Sequence, residues 1–167
     1  PDTTKKALQV DYIRAAASAD HQSSSGNTKW TLVPGLGQSG KAMVLKPVNI
    51  TQTWDEQDLS APTLFYNFEG SEISKAVLDF MPTFRVYPGM RLRVAVGIDG
   101  KYLSTIEVPG SDGKEDENGV NRNQGIRNNF VSAVVNLPPT SKGKHRFFVR
   151  AVDPGVVLDK ISFSKSN

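Results

Sequence analysis

Apolar and polar residues alternate along much of this chain with a period of two. The plainest stretch is "MRLRVAVGID", where Leu92, Val94, Val96 and Ile98 alternate with Arg91, Arg93, Ala95 and Gly97. One apolar face at that period predicts a half-buried strand. It runs into Asp99-Gly100, a pair suited to a two-residue type I′ turn, and "KYLSTIEV" returns as its partner. Short runs rich in Val, Ile, Leu, Phe and Thr predict further strands, giving 8–14, 29–33, 41–46, 63–68, 73–80, 90–98, 101–108, 129–136, 145–152 and 156–163. Fourteen glycines and ten prolines punctuate the chain between them. A second hairpin is expected where "HRFFVRAV" and "VVLDKISF" flank Asp153-Pro154-Gly155, since proline presets one turn residue and glycine supplies a positive φ. No segment keeps a 3.6-residue period, and the best helical candidate is the short Arg14–Asp20. About ten short antiparallel strands predict an all-β domain, either a two-sheet β-sandwich of jelly-roll type or a barrel. Alternating βαβ units are missing, which argues against a parallel doubly wound sheet.

Composition changes this picture little. A length of 167 residues suits one domain, 1–167, with a single core. Twenty basic and 17 acidic residues give a net charge of +3, and no basic cluster is interleaved with stacking aromatics, so nucleic acid is not an expected partner. No apolar run approaches the ~18 residues that cross a bilayer, so no membrane association is expected. The chain contains no cysteine, which excludes disulfides, thiolate metal sites and cysteine nucleophiles. Two histidines, His21 and His145, rule out a multi-histidine metal site within the chain. Starting at Pro1 without a signal peptide, the sequence has the look of a piece cut from something longer. Residues 110–128 form a long polar stretch, expected to be either functional or mobile.

Gly35-x-Gly37-x-x-Gly40-Lys41 matches the spelling of a dinucleotide-binding fingerprint. That fingerprint needs a helix after its glycines to receive phosphate. The glycines here lead instead into "KAMVLKPV", a strand running into Pro47, and Ala42 stands where a P-loop has its hydroxyl. The three glycines are therefore expected to shape a tight connection between strands. Asp159 shares its parity with Val157, Ile161 and Phe163, so a regular strand would aim a carboxylate into the apolar face. Three readings stay open: a bulge turns it outward, it accepts N–H bonds from a neighbouring turn, or it ligates a structural calcium. The turn at Gly35–Gly40 is the expected source of such N–H groups.

Catalysis finds little support. Asp112, Glu115, Asp116 and Glu117 lack calcium-loop spacing, and Asp55, Glu56 and Asp58 are too close in sequence to flank a glycosidic bond. No Gly-x-Ser-x-Gly elbow occurs. Trp54, in "TQTWDEQD", is the best candidate for an exposed ring that stacks on sugar, whereas Trp30 opens a strand and is expected in the core. Tyr66, Tyr87 and Tyr102 stay undecided.

Three landmarks, "WTLVPGLGQSGKAM", "MPTFRVYPGMRLRVAVGIDG" and "VDPGVVLDKISF", occur in order across residues 28–163. Together they resemble the C-terminal domain of glycoside hydrolase family 115, the xylan α-glucuronidases. The resemblance implies a galactose-binding-like β-sandwich similar to carbohydrate-binding modules, placed behind a separate catalytic region that this chain lacks. It carries over no catalytic residue. Gln38 stands where the family has arginine, and Phe130 where it has tryptophan. The family's acidic "Ile-Glu-Ala-Glu" strand corresponds to "IRAAASAD", which loses those acids unless Asp20 substitutes; that weakens the case for a structural calcium at Asp159, the one metal candidate, and no cofactor is expected. Two functions emerge as expectations. In one, an accessory domain of a secreted or periplasmic enzyme associates with plant polysaccharide such as xylan, through Trp54, Asp55, Arg122 and Arg127. In the other, the domain is structural and packs on its catalytic region or supports a dimer. In either, Gly35, Gly37, Gly40, Asp153, Gly155 and Asp159 are structural.

Overall fold

The alternation at "MRLRVAVGID" does become a strand, and its Asp99-Gly100 turn has φ of 52° and 79°, the two positive values a type I′ hairpin needs. The computed structural model describes residues 10–37, 40–48, 52–69, 72–81, 91–108 and 130–165. Within these the strands are β1 (Val10–Ala15), β2 (His21–Gln22), β3 (Lys29–Pro34), β4 (Lys41–Lys46), β5 (Thr63–Glu69), β6 (Ile73–Phe80), β7 (Arg93–Ile98), β8 (Lys101–Glu107), β9 (Val131–Asn136), β10 (Lys144–Ala151) and β11 (Val157–Lys165). They form two antiparallel sheets: β3-β4-β11-β6-β9 with β1 also on β11, and β2-β5-β10-β7-β8. Side chains from both sheets fill one core, including Trp30, Leu45, Tyr66, Phe80, Phe147 and Phe163. The fold is an all-β sandwich, and all ten expected strands appear within a few residues of their predicted limits.

Two local expectations fail, and one short strand was not foreseen. The stretch Arg14–Asp20 is no α-helix: β1 runs through Ala15, and only Ala16–Ser18 make a 3₁₀ turn. There Ala16 is buried, and its carbonyl accepts the Tyr66 hydroxyl at 2.7 Å. β2 escaped prediction because His21 and Gln22 are both exposed and offer no alternation. Asp153-Pro154-Gly155 does not close a hairpin, because β10 pairs with β5 and β7 while β11 pairs with β4, β1 and β6. The connection instead crosses between the sheets. Arg93 grips buried Asp153 with two bonds of 2.7 and 3.1 Å, and the Gly155 N–H reaches the Leu45 carbonyl at 3.1 Å. The ion pair ties the crossing to β7 and the glycine ties it to β4.

Asp159 is fully buried, yet it does not aim into the core. Leu158, Ile161 and Phe163 face the core, and a one-residue slip between Leu158 and Lys160 puts Asp159 on the opposite side. The slip falls where β11 exchanges one neighbour, β4, for another, β1. The Gly35–Gly40 turn covers the carboxylate, so closely that a Cβ added to Gly37 would stand 2.3 Å from Oδ1. Gly35, Gly37 and Gly40 all have φ near +75 to +79°. Beside the turn, Leu36 packs on a small second cluster of Ala42, Val44 and Val157.

Candidate functional site

Of the residues expected to meet sugar, Trp54 is a correction. It is 6% exposed and belongs to the main core cluster, so its ring offers no free face for stacking. Its backbone N–H is bonded to the Val152 carbonyl at 3.0 Å, and Thr53 and Asp55 on either side of it stay exposed. Asp55 accepts the Gln57 N–H at 3.0 Å and serves its own turn. Arg122 and Arg127 lie outside the described residues, as do Tyr87 and the acidic cluster 112–117. Trp30 is 1% exposed and gives its indole N–H to Pro62. Among the described residues no three carboxylate or imidazole side chains gather as metal ligands, Asp159 included. The Asp20 carboxylate is engaged by Arg14 and by the Asn67 N–H toward the end of β5.

That end of β5 is where a cleft forms. β2 pairs only with Leu64 and Phe65, so β5 continues to Glu69 with an uncovered edge. An ion pair takes over the ladder there. Asp20 Oδ2 accepts the Asn67 N–H at 2.7 Å, and Arg14 Nη1 donates to the Asn67 carbonyl at 2.8 Å, with 3.0 Å between the two charged groups. Arg14 is held in turn by the Ser18 hydroxyl and carbonyl, and it lies over the Tyr66 ring. Partial burial works against the Asp20 charge, but the Asn67 N–H and Arg14 outweigh it and hold the carboxyl below its usual range. An open strand edge is thus blunted by side chains.

On the other flank, His145 presents both ring nitrogens to acceptors: Nδ1 to Asp99 Oδ2 at 2.7 Å and Nε2 to the Ser141 carbonyl at 2.7 Å. Two acceptors favour the doubly protonated ring. The bond to Asp99 chiefly, then that to Ser141, raises the His145 pKa, while burial opposes the rise. Burial likewise opposes the Asp99 charge, but the His145 bond and the Arg146 N–H at 2.9 Å win, and its pKa falls. The His145 ring rests 5.7 Å from Phe68, whose own ring stacks on Phe163 in the core.

Between these fixed groups lies a cleft of about 580 Å3, lined by Arg14, Asp20, Asn67, Phe68, Glu69, Asp99, Lys144, His145 and Arg146. Asn67 and Glu69 share the outer face of β5, and Lys144 and Arg146 that of β10, opposite one another in register. Arg146 gives Nε to the Asn67 side chain at 2.8 Å and lies 5.5 Å over Phe65, which stacks with His21. The Asp20 side also borders a second hollow of about 380 Å3, floored by Trp30, Leu32 and Met43. Sequence reasoning missed this cleft because it is assembled from β1, β5, β7 and β10, and only strand order reveals that those strands end together.

The whole described sandwich matches the model of the glycosyl hydrolase family 115 C-terminal domain over residues 11–166. The chain belongs to that family. As a family 115 C-terminal domain it fits a non-catalytic, accessory role beside a glycoside hydrolase. Among solved structures it is similar to BtGH115A, a 4-O-methyl-α-glucuronidase with specificity for decorated arabinogalactans, at 19% identity and a TM-score of 0.65, with 95% of this chain and 18% of that chain covered. The domain thus spans under a fifth of that enzyme's length. It is also similar to CsCBM6-3 from Clostridium stercorarium, solved with cellobiose, at 19% identity and TM-score 0.57 over 93% of this chain and 94% of that one. The C-terminal family 6 module of LamC, a laminarinase from Zobellia galactanivorans, gives 13% and 0.54 over 92% and 98%. At these identities the likeness speaks for the fold. No curated protein matches the sequence.

Proposed function

We propose that this family 115 C-terminal domain is a carbohydrate-associating module of an α-glucuronidase-type hydrolase, that its ligand is a plant polysaccharide such as xylan, and that the cleft at the end of β5 and β10 is where it meets sugar. The observation that carries this reading is the cleft's lining. It combines amide, carboxylate, guanidinium, ammonium and imidazole groups, most of them on strand ends that the core holds rigid. Saccharide hydroxyls both donate and accept, and a concave site with a few fixed polar groups suits them. Neighbours of the same fold include carbohydrate-binding modules, which supports the reading. A polysaccharide ligand puts the working site outside the cytoplasm. Titration calorimetry against glucuronoxylan oligosaccharides, arabinogalactan fragments and cello-oligosaccharides tests it. Heat from one or more is expected, and silence from all of them contradicts it.

A structural role has its own supporting observation. Ile13, Ser162, Val77 and Val134 stand in register across the outer face of the six-stranded sheet. Ile13 and Val134 are 60% and 59% exposed. Such a row favours packing on the catalytic region or on a second copy. An Ile13→Lys, Val134→Lys variant that changes the assembly's elution but not sugar affinity would assign that face to packing.

A further inference from the structure

The charges around the cleft are not equally available, and resting on the carbohydrate reading, we infer from their commitments that the site prefers a saccharide carrying an oxyanion, a carboxylate or a sulfate ester. Arg14 is used up by Ser18, Asn67 and Asp20. Asp20 is neutralised by that arginine and by the Asn67 N–H. Asp99 is neutralised by His145 and the Arg146 N–H, and His145 has no free nitrogen. These four groups hold the walls and leave little charge to offer.

Three groups remain. Arg146 commits only Nε, to Asn67, so that among the described residues both Nη groups stay uncommitted. The Lys144 ammonium has no side-chain partner among the described residues. Glu69 is likewise unpaired there: it faces Lys144 in register across β5 and β10, yet the two charges are not within ion-pair distance. The available balance is two cations against one carboxylate.

Geometry adds to charge. Arg146 and Lys144 lie two residues apart on the same face of β10, at the cleft's mouth. The Arg146 fork is already fixed by Asn67 and by the Phe65 ring beneath it, so little side-chain freedom is lost on binding. A planar carboxylate or a sulfate oxygen pair accepts two parallel N–H bonds from such a fork. Lys144 then supplies a second, mobile cation. Glu69 opposes the anion and tempers its affinity.

The test is titration calorimetry of the whole domain at low salt with three probes of equal length: an oligogalacturonate, a sulfated galacto-oligosaccharide and the neutral galacto-oligosaccharide. At least one charged probe is expected to bind about ten-fold more tightly than the neutral one, and to weaken as salt rises. Carboxylate alone identifies a uronic acid as ligand, and sulfate alone a sulfate ester. Lys144→Gln is expected to weaken the charged probe about two- to five-fold and Glu69→Gln to strengthen it by a similar factor, each moving the ratio of charged to neutral affinity in the same direction. Because both residues are exposed, neither substitution threatens folding. Neutral probe binding as tightly as the charged ones overturns this inference and leaves the carbohydrate reading standing. Charged binding indifferent to both substitutions also overturns it. Silence from these three probes, and from the glucuronoxylan, arabinogalactan and cello-oligosaccharides as well, removes the reading beneath it.

Discussion

Two aspartates join distant parts of this chain in opposite ways. Asp159 sits fully buried beneath the Gly35–Gly40 turn, at a bulge where β11 changes neighbours. Asp99 sits in an exposed hairpin turn and reaches His145 at the rim of the cleft. The first link depends on close packing that admits no extra atom. The second depends on two protons and is open to water. The difference separates a part of the molecule that must be rigid from a part that can respond to solvent and ligand.

The contrast breaks most sharply at Gly37. Gly37→Ala puts a Cβ 2.3 Å from Asp159 Oδ1 and forces alanine to a φ of 79°. Chain and carboxylate must both shift, so a loss of about 2–4 kcal/mol is expected in urea unfolding. A near-neutral result would mean that the turn rests only loosely on Asp159. At the other end, Asp20→Ala removes the ion pair and the acceptor for the Asn67 N–H. Both groups see solvent, so the expected cost is only about 1 kcal/mol. Its more telling readout is amide exchange, which should quicken at Asn67 and leave the Gly35–Gly40 end unchanged.

The smallest expected effect is a pH dependence, and it belongs to the cleft alone. The raised His145 pKa means that its contribution is full below the ordinary value of 6.5 and fades as pH climbs through the folded value. The lowered Asp99 and Asp20 values act on the acid side, where their contributions hold above the ordinary 3.8 and fade as pH falls through the folded values. The cleft is therefore best locked in mildly acidic solution. Melting temperature should fall by about 1–2 °C between pH 6 and pH 9 through this pair, and His145→Gln should flatten that limb. An unchanged slope in the variant would detach the latch from stability.

The strands were legible because alternation is a local property: Leu92 to Ile98 carry their own signal. The type I′ turn was legible for the same reason, since Asp99 and Gly100 decide it between them. Asp153-Pro154-Gly155 misled because turn residues state only that the chain bends. Which sheet the chain bends toward is set by Arg93, 60 positions away from Asp153, and by the carbonyl of Leu45. Trp54 misled because its neighbours in sequence are polar, while its ring packs in the main core cluster against residues distant in the chain. Asp159 was legible as an anomaly, and its resolution joined a bulge with cover from the glycine turn. The cleft was the least legible part, since Arg14, Asn67, Asp99 and Arg146 meet through strand order and not through any spacing in the sequence.

Whether sugar meets this domain at the end of β5 and β10 is tested most directly by backbone amide chemical-shift mapping during titration with a bound oligosaccharide. The largest shifts are expected at Asn67, Glu69, Asp99 and Lys144 to Arg146, with Trp54, Asp55 and the outer row from Ile13 to Val134 silent. Shifts centred on Asp55 or on that outer row, with the cleft unmoved, would contradict it.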